Sequence, residues 1–71
     1  MNEWIHVDDS LPEDDRKVLV CYISYENAET EIDTDRYQEI GGENAFMTEL
    51  LFGEVIAWKE LPEPFKPTLY L

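Results

Sequence analysis

The sequence predicts a small α+β domain: a twisted antiparallel sheet of three or four strands, one short helix and an extended Pro-rich C-terminal tail. Three observations carry this. Residues 17–25 are a β-branched and aromatic run with apolar side chains on both parities. Residues 30–38 alternate with a period of two. Residues 44–52 have a helical pattern between glycines, and Pro62, Pro64 and Pro67 follow the last apolar run.

The elements follow in order. Trp4-Ile5-His6-Val7 is a short strand or extended arm, and Asp8-Asp9-Ser10-Leu11-Pro12 a turn cluster. Pro12-Glu13-Asp14-Asp15 suits one helical turn, with Ser10 or Leu11 near its N-cap and acids in the first turn. In 17–25, Val18, Val20 and Tyr22 line one face and Leu19, Cys21, Ile23 and Tyr25 the other. Such a strand is central and covered on both sides. Glu26-Asn27-Ala28 makes a hairpin connection without the Asn-Gly signal. The next strand sets Thr30, Ile32, Thr34 and Arg36 against Glu31, Asp33, Asp35 and Tyr37, which reads as an edge strand ended by Gly41-Gly42. Over 44–52 a short helix is favoured over a strand. Asn44 would cap it, Gly53 would sit at C′, and Phe46 with Leu50 and Met47 with Leu51 would share a side. Residues 55–59 close the sheet. Residues 61–67 run extended, and Thr68-Leu69-Tyr70-Leu71 is apolar enough to pack on the body or on another copy in a homodimer.

Length sets one domain, 1–71, burying only about 60–65% of its unfolded surface and therefore marginally stable. Seventeen acids against five bases give a net charge of -12, yet 13% of the residues are aromatic. A disordered acidic tail lacks aromatics, so this chain folds and carries an anionic surface. That surface repels nucleic acid and anionic membrane and attracts basic proteins. Cys21 and His6 are single, which excludes an intramolecular disulfide and the usual zinc sites. Cys21, in an apolar run, reads as a buried small hydrophobe. Met1-Asn2-Glu3-Trp4 lacks the basic region of a secretory signal, and no apolar run approaches the ~20 residues of a membrane span. A cytosolic location is expected.

Trp4-Ile5-x-Val7 with Leu11-Pro12 at one end, Val18-Leu19-Val20, and Ile56-Ala57-Trp58-Lys59-x-Leu61-Pro62-x-Pro64 at the other carry a family resemblance. The pattern resembles the domain of unknown function five-five-one, found widely in tailed phages and prophages. It covers residues 3–25 and 55–64, and the segment 26–54 departs from it. The resemblance implies a phage origin and a bacterial host cytosol, and no activity or binding residue to carry over. Trp4 and Trp58 are both expected in the core, together or on one strand, tying the ends.

The candidate partner-binding residues are acidic. Glu29, Glu31, Asp33 and Asp35 stand on one side of a strand, ~6.5 Å apart. Duplex DNA carries one charge per ~3.4 Å of axis on each strand, so this row is about half as dense as a phosphate strand. Glu39 and Glu43, or Asp8, Asp9, Glu13, Asp14 and Asp15, would supply a second row. The competing reading is a solvated face that only maintains solubility.

Asp33-Thr34-Asp35 with Glu39 or Glu43 offers oxygen ligands but fails the EF-hand spacing, so no metal is assigned. His6, Asp9 and Ser10 hold triad residue types within one turn, without a nucleophile elbow or phosphate loop; no catalytic residue and no cofactor are assigned. Pro64-Phe65-Lys66-Pro67 reads as a stiff tail covering a sheet edge.

The reading is a non-enzymatic, phage-derived nucleic-acid mimic. It would occupy a basic, nucleic-acid-binding surface of a host protein, as an anti-CRISPR, anti-restriction or transcription inhibitor does, without contacting nucleic acid or membrane. The alternative is a structural or interaction module docking through its Trp/Pro ends. Clustering of the acids on one face favours the first, an even spread the second.

Overall fold

A computed structural model describes residues 3–63. Five strands and one helix follow one another: β1 (Ile5–His6), β2 (Lys17–Ser24), β3 (Thr30–Ile40), β4 (Glu43–Phe46), α1 (Met47–Leu51) and β5 (Gly53–Glu60). The strands form one antiparallel sheet in the order β1-β5-β2-β3-β4. The expected antiparallel sheet with one short helix is present, with five strands rather than three or four.

The strand not expected, β4, has a local cause. Gly41 and Gly42 both have positive φ, 62° and 95°, as a two-residue hairpin turn of type I′ requires at its central positions. The turn does end β3, but it also reverses the chain into β4, so Glu43–Phe46 is strand and only Met47–Leu51 is helix. The segment 44–52 thus holds both of the structures its pattern allowed. Asn44 lies in β4 and caps nothing; Phe46 occupies the N-cap position. β1, expected as a short strand or extended arm, is a two-residue pairing of Ile5 with Trp58 and His6 with Ala57.

Gly53 follows the C-cap residue Phe52, at C′ as expected, and it also opens β5. A Cβ there would lie 2.1 Å from the Ile23 carbonyl oxygen and 2.7 Å from Tyr22 Cδ2, so only glycine permits this strand approach. The expected helical turn at 12–15 is absent; these residues form bends, and the Asp14 carboxylate bonds the Arg16 N–H at 3.1 Å.

β2 is central, between β5 and β3. Val18, Val20 and Tyr22 are buried on one face with Phe46, Val55 and Trp58, and Ile5, Val7 and Tyr37 pack against them. The loop between β1 and β2 closes one end of this core: Trp58 Nε1–H donates to the Ser10 carbonyl at 2.9 Å, and Pro12 is buried. α1 lies over the other end. Coverage on both sides is not what the structure shows. Leu19, Cys21 and Ile23 are only half-buried, because both α1 and the loop cross the same face. Cys21 is accordingly a half-buried thiol.

The two tryptophans part company. Trp58 is 4% exposed; Trp4 is 38% exposed and lies on the half-open face, where Lys59 Nζ sits 4.8 Å from its ring centre. Trp4 precedes Ile5, whose partner Trp58 points into the core, and alternation turns Trp4 the other way. The ends are tied through β1 and β5 by backbone pairing, with Trp58 alone in the core. The expected extended tail and its P-x-x-P lie largely outside the described residues.

Candidate functional site

Register decides where the acids stand. In an antiparallel pair, residues directly opposite share a face. Tyr22 is opposite Glu31, Val20 opposite Asp33 and Val18 opposite Asp35. The acidic row therefore occupies the same face as the core, beyond its edge, and not the solvent face of an edge strand. Glu39 continues the row past the half-buried Tyr37, while Glu43, opposite Ile40, belongs to the other face. Glu29 sits in the β2–β3 turn, exposed, its carbonyl accepting from the Ser24 N–H at 2.9 Å.

The cations go the other way. Lys17 pairs with Arg36 and Leu19 with Lys59, on the half-open face. The three described cations borne by strands thus share one face, with Glu43 and Glu54, and the acids of β3 share the other. Arg16, in the loop, is held by Asp14 at 2.7 Å and by Glu60, and its guanidinium lies 6.0 Å from the Trp58 ring centre.

The row is not uniform in role. Asp35 is half-buried and bonds both the Thr48 N–H, at 2.7 Å, and the Thr48 hydroxyl. Phe46 provides no side-chain cap to α1, so a carboxylate from β3 caps it across the fold. Asp33 and Asp35 each also accept the backbone N–H of the next residue, Thr34 and Arg36, at 2.7 Å. Those donors are taken, and among the described residues no strand pairs with the outer side of β3 over residues 30–36. Glu29, Glu31, Asp33 and Glu39 are the exposed members.

Beside Glu31 the sheet face opens into a groove of about 400 Å³ between the β2–β3 turn and the end of α1. Tyr22 and Phe52 rings form its floor and one wall, with centroids 6.4 Å apart at 38°. Tyr25 closes it: its N–H bonds the Phe52 carbonyl at 2.9 Å and its hydroxyl the Glu49 carbonyl at 2.8 Å. Leu51 and Phe52 are 61% and 51% exposed. Two carboxylates rim the groove, Glu26 and Glu31, the latter accepting from the Tyr22 hydroxyl at 3.1 Å. Burial, then this carboxylate, holds the Tyr22 phenol above its usual pKa. The groove residues carried one sequence signal, the run Leu50-Leu51-Phe52, which is apolar on every side of a helix too short to bury it all.

A family model described as protein of unknown function (DUF551) matches residues 3–66. The chain belongs to this family. The match spans the middle segment as well as the two ends that carried the resemblance. No curated protein and no solved structure matches the chain.

Other chemistries find little geometry. Among the described residues no group of three or more His, Cys, Asp or Glu side chains is placed to hold a metal ion. His6, Asp9 and Ser10 share an exposed turn in which the Asp9 and Ser10 N–H groups both bond the His6 carbonyl. No described helix is long and apolar enough to cross a membrane.

Proposed function

We propose that this chain is a non-enzymatic binding protein that presents the acidic face of β3 to a basic surface of a host protein, one that otherwise holds nucleic acid. One observation carries the reading: strand register sends Glu31, Asp33, Asp35 and Glu39 to one face and Lys17, Arg36 and Lys59 to the other. A charge excess serving only solubility has no reason to be sorted in this way, whereas a one-signed face steers a counter-charged partner and repels wrong ones. Glu29, Glu31, Asp33 and Glu39 would stand where phosphates stand opposite Lys and Arg. Phage derivation and residence in the host cytosol are part of this proposal and rest on the resemblance of the chain ends.

The experiment is capture from a bacterial lysate on the immobilised chain, followed by a salt gradient. Basic DNA-binding proteins should elute late, and the free chain should displace DNA from them in mobility-shift assays. Charge reversal at Glu29→Lys and Asp33→Lys should abolish capture. Undiminished capture by that folded variant, or captured proteins that keep their DNA, would overturn the reading.

A further inference from the structure

We propose that the groove between the β2–β3 turn and α1 seats an arginine side chain presented by a protein partner. This deepens the acidic-face reading and rests on it for the class of partner.

The groove combines two features that suit a guanidinium. Its walls are aromatic and apolar, from Tyr22, Tyr25, Phe52 and Leu51, and its rim holds the carboxylates of Glu26 and Glu31. A guanidinium stacks on aromatic faces and offers paired N–H donors to carboxylates; its aliphatic stem lies well along an apolar wall. One Glu31 oxygen is engaged by the Tyr22 hydroxyl, which orients the carboxylate toward the groove. The described arginines are occupied elsewhere, Arg16 by Asp14 and Glu60 and Arg36 by the Asp15 carbonyl at 2.9 Å, so neither fills the groove. The Tyr25 wall is anchored before any ligand arrives, its hydroxyl bonded to the Glu49 carbonyl and its N–H to the Phe52 carbonyl. An anchored wall reduces the ordering cost of binding. A second copy of this acidic chain would bring like charge to the rim.

The test is a titration of the isotopically labelled chain, followed by NMR. The probes are acetyl-Gly-Arg-Gly-amide, its lysine and citrulline counterparts, and free arginine. The arginine tripeptide should produce saturable shifts at Tyr25, Glu26 and Phe52 and in the Tyr22 ring. Lysine should bind more weakly, because it is a point charge without a planar face. Citrulline, neutral and of the same shape, should not bind. Free arginine should bind more weakly than the capped peptide, since its carboxylate meets Glu26 and Glu31. Glu26→Gln should weaken the arginine peptide about ten-fold or more by removing a charge-assisted hydrogen bond.

Equal shifts with citrulline, or shifts confined to residues 29–39, would overturn the groove assignment. Tighter binding of free arginine would overturn the partner-protein source. No shift at all would sink the groove while leaving the acidic face to the capture experiment. The citrulline comparison needs no variant, so it does not depend on any substituted chain folding.

Discussion

At the scale of single residues, burial separates side chains that look alike in sequence. Trp58 fills the core and Trp4 does not. Trp58→Ala should cost ~3–5 kcal/mol, out of only about 4–11 kcal/mol for a domain of this length. Trp4→Ala should cost about 1 kcal/mol or less, the size of an exposed cation–π contact. Urea titration checks both, with the first variant unfolded or nearly so. The acids divide in the same way. Asp35→Ala leaves the N–H and hydroxyl of the buried Thr48 unpaired, at about 1–3 kcal/mol. Asp33→Ala, at an exposed position, should stay within about 0.5 kcal/mol. Equal melting of the two would contradict the capping role of Asp35. None of this division was readable from spacing, because Asp35 and Thr48 meet only through the hairpin between them.

At the scale of elements, what was legible was local. The alternation of 30–38 and the apolar run of 17–25 gave β3 and β2 directly, since strand period and side-chain type are properties of adjacent residues. The helix was legible in kind but not in extent. A helical pattern of nine residues is shared here by a strand that must finish pairing with β3 and a helix that must turn the chain toward β5. The face of β3 that meets the core was not legible at all, because it depends on which residue of β2 stands opposite Glu31. Gly53 shows the same limit. Its C′ place was legible, but what requires its lack of a side chain, the closeness of β2, was not. Gly53→Ala should therefore cost at least about 2 kcal/mol, as backbone overlap in a packed site does. A thermal melt within two or three degrees of the parent would show that the strands can part.

At the scale of the whole molecule, net charge and the Arg16 clamp set the response to solution conditions. Arg16 lowers the pKa of both Asp14 and Glu60 chiefly through hydrogen bonds from its guanidinium. A carboxylate whose folded pKa is depressed gives stability that is complete above its unfolded value and lost as pH falls through the folded one. The clamp should thus be intact at neutral pH and fail below about pH 4, the usual carboxylate range. Denaturant melts at neutral pH and in that acid window should show Arg16→Gln less stable than the parent at the first and converging with it in the second. A gap that persists at low pH would assign Arg16 a packing role against Trp58 instead. Salt should stabilise the free chain by screening its self-repulsion. The two-residue pairing of β1 with β5 bears on the order of events in folding. β2, β3 and β4 are joined by short turns and can form early, whereas Ile5 must find Trp58 across nearly the full length of the chain. That closure belongs late, after the transition state. In stopped-flow experiments Ile5→Ala should speed unfolding and leave the refolding rate almost unchanged. The strand that fastens the two ends would then set how long the native state lasts, and hardly at all how quickly it is reached.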